Sequence, residues 1–158
     1  LFHRGYILSQ KERYAEASDL LSTAGDLRPN EGNIPYLMGL IYFQQKSYAQ
    51  AISQLERALG LEPSNTAYLY QLGSAFERSR HIDKAETIFR KLLAIDPKNA
   101  DAYNYLGFMF ADEGIKLDES IVRRIVSIRR QLLDHDKARL LYSIVPLIHI
   151  TRSTLSAD

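Results

Sequence analysis

Residues 35–65 read PYLMGLIYFQQKSYAQAISQLERALGLEPSN, and residues 67–99 read AYLYQLGSAFERSRHIDKAETIFRKLLAIDPKN. Offset by 34 residues, the two stretches place Gly39 on Gly73, Ala51 on Ala85 and Pro63 on Pro97. The same beat runs outward in both directions. Gly5, Ala17 and Pro29 stand one step earlier, and Gly107 stands one step later. A fixed period of roughly 20–50 residues marks a solenoid, in which one small unit stacks on copies of itself. Such arrays are surfaces for holding other proteins more often than sites of chemistry.

Each unit reads as two amphipathic helices joined by a short turn. In the unit 66–99, Leu69, Leu72 and Phe76 share one face of helix A, while Ala85, Ile88, Phe89 and Leu92 share one face of helix B. Gly73 and Ala85 are small where the two helices cross most closely, and the large residues fill the space beside them. The proline closing each unit cannot continue helix B and sets the corner before the next unit. The expected architecture is all-α, a right-handed superhelical solenoid of antiparallel helix pairs. Its units fall at about 1–31, 32–65, 66–99 and 100–133, and residues 134–158 form a C-terminal capping helix or tail.

The bulk numbers fit one soluble-type domain. At 46% hydrophobic and 25% charged, the 158 residues have the composition of a globular core with a solvated surface. A formal net charge of +1 gives no long-range field for nucleic acid or an anionic membrane. The absence of cysteine excludes disulfides, thiol catalysis and thiolate metal sites, and it selects no compartment. No run approaches the roughly 20 apolar residues needed to span a bilayer. In the repeat register Leu1 falls inside a first helix, so the expectation is a fragment of a longer array.

The landmarks of small, aromatic and proline residues resemble the tetratricopeptide repeat family. They occur in 35–65, in 67–99 and in AYNYLGFMFADEGIKLDES at 102–120. Leu1 to Glu31 fits as a unit lacking its first residues, with Gly5, Tyr14, Ala17, Ala24 and Pro29 in place. The resemblance covers about 1–131, and the wording of 104–120 is similar to repeats in bacterial multi-repeat proteins. A pentatricopeptide RNA reader shares nearly the same period but has different landmarks.

The fourth unit departs from the pattern. An extra residue enters its turn at Gly114-Ile115-Lys116-Leu117, Ser120 replaces the expected alanine, Arg124 stands at an apolar position, and no proline closes it. Its helix B is expected over about 117–133, with Asp118 a candidate N-cap. The tail ARLLYSIVPLIHITRSTLSAD, residues 138–158, is apolar in its first half and interrupted by Pro146. It is open to several readings: a cap on the stack, an occupant of the chain's own groove, a partner-binding segment, or a sequence artefact.

The resemblance implies that the A helices line a concave side along which ligands lie. Carried onto this chain, those positions give Phe2, Tyr6, Ser9 and Gln10 in the first unit. The second gives Asn33, Tyr36, Leu40, Phe43 and Gln44, and the third Ala67, Tyr70, Ser74, Glu77 and Arg78. The fourth gives Asp101, Asn104, Phe108, Ala111 and Asp112. The partner-binding candidates are Phe2, Tyr6, Tyr36, Leu40, Phe43, Tyr70, Glu77, Arg78, Asn104 and Phe108. Aromatic rings with polar tips suit capture of a peptide or helix, although several of them can equally pack between neighbouring helices. The Lys and Asn side chains that clamp a C-terminal carboxylate in chaperone-binding members are replaced by Tyr36, Leu40, Tyr70 and Ser74, which disfavours an EEVD-type client.

Little in the chain points to catalysis. His3, His81, His135 and His149 lack the i, i+4 spacing of a helical metal site, and no serine sits in a nucleophile elbow. No glycine loop cradles a phosphate, so no metal, cofactor or enzymatic activity is expected. The expected function is a non-catalytic scaffold binding a protein or peptide partner. Two alternatives are kept. One is nucleic-acid binding through the basic stretch 123–139, against which its acidic neighbours count. The other is self-association through an apolar stacking face at Leu1 to Leu8.

Overall fold

The computed structural model describes residues 1–112, and among them every regular element is an α-helix. The helices are α1 (Phe2–Gln10), α2 (Tyr14–Leu27), α3 (Asn33–Gln44), α4 (Tyr48–Leu61), α5 (Thr66–Arg78), α6 (Ile82–Ile95) and α7 (Ala100–Asp112). The expectations for the Phe108 side chain, the fourth helix B, Asp118, the basic stretch 123–139 and the tail 134–158 fall outside what is described. Two compact units divide the chain, one spanning Leu1–Lys91 and the other beginning at Leu92.

In the first unit the small residues do what their spacing predicts. A Cβ on Gly39 of α3 would stand 2.7 Å from Leu55 Cγ and 3.4 Å from the Ala51 carbonyl oxygen on α4. Gly5 meets Leu21 of α2 in the same way, at 2.9 Å, and Gly73 meets the Phe89 ring of α6 at 2.8 Å. Ala17, Ala51 and Ala85 are fully buried opposite these glycines, as are Leu21, Leu55 and Phe89. α1 and α2, and likewise α3 and α4, therefore close backbone to backbone at one point. A large side chain beside that point fills the remaining space, and full burial of each is worth about 1.5–3 kcal/mol.

Successive pairs share a core. Leu8, Ala17, Leu21 and Ala24 from the first pair pack with Ile34, Leu37 and Ile41 from α3. Because it is covered in this way, α3 is apolar around most of its circumference, with Ile34, Pro35, Leu37, Gly39 and Ile41 all buried.

The turns are equally periodic. Glu12, Lys46 and Arg80 have φ of 59°, 60° and 64°, the left-handed region that disfavours side chains. Each follows the end of a helix A. The next N–H bonds back five residues (Arg13 to Leu8 O, Ser47 to Tyr42 O, His81 to Phe76 O), while the left-handed residue bonds to Ser9, Phe43 or Glu77 O. This pair of bonds is the Schellman C-cap. At the other corner, α2, α4 and α6 stop at Leu27, Leu61 and Ile95, just ahead of Pro29, Pro63 and Pro97. Arg28 and Glu62, whose ψ of 69° and 78° has left the helical region ahead of their prolines, make the last helical N–H bonds, to Ala24 and Ala58 O. Asn65 then caps α5, its Oδ1 accepting from the N–H groups of Ala67 and Tyr68 at 3.1 and 3.3 Å.

In the second unit, Asn99 caps α7 by accepting from the Ala102 N–H at 2.9 Å, and its own amide donates to Asp96 Oδ2 at 3.0 Å. Leu92, Ala102 and Leu106 are fully buried there.

Candidate partner-binding groove

Side chains of α1 and α3 border a cavity of about 360 Å³. Its floor is apolar: Leu37 and Ile41 are buried, while Leu40 and Phe43 remain partly open. The Phe43 ring is held edge-on to Tyr48, with centroids 5.6 Å apart, which fixes its position at the mouth. Ser9, Gln10, Gln44 and Gln71 supply the polar rim, and Tyr14 and Glu12 close the end beside the first turn. Ser9 is already engaged, donating from Oγ to the Tyr6 carbonyl at 2.7 Å.

The candidates named from sequence divide between this cavity and other duties. Leu40 and Phe43 line it. Phe2 packs against the core shared by the first pair and α3, its ring edge-on to His3. Tyr6 lies half open to solvent. Tyr36 is stacked on Tyr68, centroids 4.6 Å apart and planes 28° apart, and burial raises its hydroxyl above the usual phenol value. Tyr68 is fixed in turn. Its hydroxyl lies 2.9 Å from Asn33 Oδ1 and 3.1 Å from Glu62 Oε1, both acceptors for the one proton. Burial, then the bond to Glu62 and its negative charge, push that hydroxyl up to about 12. Tyr70 packs edge-on against Phe89 at 6.0 Å.

Glu77 and Arg78 end α5. The Arg78 Nε lies 3.5 Å from Glu77 Oε2, an oxygen that is buried without a hydrogen-bond partner. Asn104, in the second unit, is partly buried and its Oδ1 also lacks a partner.

Sequence reasoning passed over Leu37, Ile41, Gln71, Tyr14 and Glu12 as groove residues. Leu37 and Ile41 look like plain core and are indeed buried. Gln71 was findable, since it stands 34 residues after Leu37 and so occupies the same register on the next helix A. Among the described residues no cluster of His, Asp or Glu is placed to hold a metal, and no helix is long and apolar enough to cross a membrane.

Comparisons with known proteins agree with this geometry. The tetratricopeptide repeat model matches residues 36–100 and, overlapping, 70–115, together just over half of the chain. MamA from Desulfovibrio magneticus RS-1, from its residue 41 to the end, superposes with a TM-score of 0.74 at 21% identity, over 85% of this chain and 75% of that one. YrrB, described as a TPR protein with an unusual peptide-binding site, gives 0.70 at 25% identity, over 85% and 68%. The first TPR of Spaghetti (RPAP3), bound to the HSP90 peptide SRMEEVD, gives 0.68 at 24% identity, over 72% and 90%. No curated protein matches by sequence. The three-fold recurrence of the glycine–alanine crossing, the left-handed turn and the proline corner thus has its explanation: the chain belongs to the tetratricopeptide repeat family, as an all-α helical-repeat solenoid.

Proposed function

We propose that this chain is a non-catalytic protein–protein interaction module that holds a partner peptide or helix in the groove bordered by α1, α3 and α5. The observation that carries the reading is the cavity between α1 and α3, where Leu40 and Phe43 leave apolar surface open inside a concave, polar-rimmed site. Peptide-binding neighbours of the same fold, RPAP3 and YrrB, support it. Burying a few such anchors at about 1.5–3 kcal/mol each offsets an association cost on the order of 4–15 kcal/mol. At the favourable end of both ranges, four anchors leave about 8 kcal/mol, which corresponds to micromolar binding. Titrating the chain with a degenerate heptapeptide mixture and following backbone amide shifts tests the reading. Shifts at Ser9, Leu40, Phe43 and Gln44 are expected, and shifts confined to α4 positions such as Gln50 and Arg57 overturn it.

One observation favours self-association as a second reading. Ile7 is 53% exposed, whereas Ile41 and Ala75, in the same register of the next two units, are 1% and 0% exposed. The α1 face therefore presents the apolar position that is covered in the next two units, a surface for a helix pair from a preceding unit or from a second copy. A mass that rises with concentration, and that Ile7→Glu holds at the monomer value, is the expected result for that reading.

A further inference from the structure

We propose that the groove takes an extended peptide segment free of acidic side chains, seating one bulky apolar side chain between α1 and α3 while Gln10, Gln44 and Gln71 bond its backbone. This rests on the reading that the groove is the partner-binding site, and it names the chemistry of the partner.

Size comes first. At about 360 Å³ the cavity lies near the lower end of the roughly 300–1,000 Å³ of small-ligand pockets. It has room for one large side chain.

The rim argues for the extended form. Among the described residues, the side-chain amides of Gln10, Gln44 and Gln71 make no hydrogen bond to protein and are available. A glutamine amide is both donor and acceptor, which is what one peptide unit demands. A helical ligand satisfies its own N–H and C=O groups internally and leaves the three amides no backbone group to bond. An extended ligand presents those groups unpaired.

The spacing is compatible. Gln10 and Gln44 are the last residues of α1 and α3 and share one register. Neighbouring helices stand about 8–10 Å apart, and an extended chain rises about 3.3 Å per residue. The two glutamines thus address peptide units about three residues apart.

Charge settles the remaining choice. Glu12 is the one charged residue among those lining the cavity, and no lysine or arginine lines it. An acidic segment would lose its hydration there and meet a carboxylate in place of a cation.

The probe is a positional-scanning library of seven-residue peptides, acetylated and amidated so that neither end is charged, captured on the full chain. With the central residue fixed as Leu, Met or Phe, retention should exceed that with Asp or Glu by roughly tenfold or more. Methylating the backbone nitrogens flanking the anchor should cost about fivefold, and Gln44→Leu a similar factor. Gln50→Leu, an exposed change on α4 outside the cavity, should cost nothing. Preference for an acidic central residue, or indifference to both N-methylation and Gln44→Leu, overturns the inference. Two results separate its failure from that of the underlying reading. If Phe43→Ala abolishes capture yet acidic peptides are preferred, the groove stands and this inference falls. If nothing is captured, or if Phe43→Ala changes nothing, the groove itself is not the site and both fall.

Discussion

Gly39→Ala and Gly60→Ala are the same chemical change in helices of the same pair, and they should move stability in opposite directions. At Gly39 the added carbon would stand 2.7 Å from Leu55 Cγ and 2.9 Å from Cδ2, against an optimal carbon–carbon separation of about 3.5–4.0 Å. Cγ is the branch point of a fully buried side chain, so relief requires α3 and α4 to move apart. Overpacking of this kind costs about 1–3 kcal/mol, and we take the upper end because a branch point cannot swing aside. Replacing glycine by alanine inside a helix returns about 1 kcal/mol. The net expectation is a loss of about 1–2 kcal/mol. At Gly60 no atom beyond its chain neighbours and its own helical backbone lies within 4 Å of the new carbon, and only the propensity remains. It is reduced because Gly60 is the penultimate residue of α4, leaving a gain of about 0.5–1 kcal/mol. Urea unfolding followed by far-UV circular dichroism reads both, provided the denaturant slope is unchanged. For a chain of this length each kcal/mol moves the thermal midpoint by about 2–4 °C. Gly39→Ala at or above wild-type stability would refute the close-crossing argument, and a destabilised Gly60→Ala would refute the propensity half.

The other predictions follow from the turns, the buried phenol and the cap. Lys46→Gly and Arg80→Gly should each stabilise by about 0.5–1 kcal/mol, because the left-handed backbone at φ of 60° and 64° costs side chains that glycine lacks. Lys46→Ala should leave the same unfolding midpoint unmoved, since alanine keeps the Cβ. Tyr68 is raised in the folded state to about 12 from 10, so the stability it contributes is whole below pH 10 and is lost as pH rises toward 12. Unfolding curves across that window should show a loss on the order of 2 kcal/mol, smaller in Tyr68→Phe. At neutral pH, Tyr68→Phe should cost about 1 kcal/mol by the same measurement, since the abandoned Asn33 and Glu62 acceptors lie at the surface and can take water. Asn65→Ala removes the acceptor for two N–H groups of α5 and should cost about 1 kcal/mol in unfolding free energy.

The fold was legible because its landmarks are contacts that tolerate few residues. Gly39 faces Leu55 and Gly73 faces Phe89 so closely that a Cβ would force a neighbour or a helix to shift, and the chain repeats its small residues at the helical crossings. The turns were not legible in the same way. Glu12, Lys46 and Arg80 share a backbone conformation and no chemistry, because the Schellman bonds that hold them are made by main-chain atoms alone. The groove was half legible for a further reason. A stripe along one helix tells which residues share a face; it does not tell whether the next unit covers them. Leu40 and Phe43 stay open to the cavity, while Tyr36 lies under the Tyr68 ring. Ile34 fills the register position of Tyr68 in the preceding unit. An isoleucine there asks for nothing, but a tyrosine brings a hydroxyl that needs acceptors, and it finds them in Asn33 and Glu62 of that preceding unit. Once the phenol is drawn to that corner its ring must lie against Tyr36. The fate of Tyr36 is thus decided by a residue 32 positions away, through a hydrogen bond that no single repeat contains.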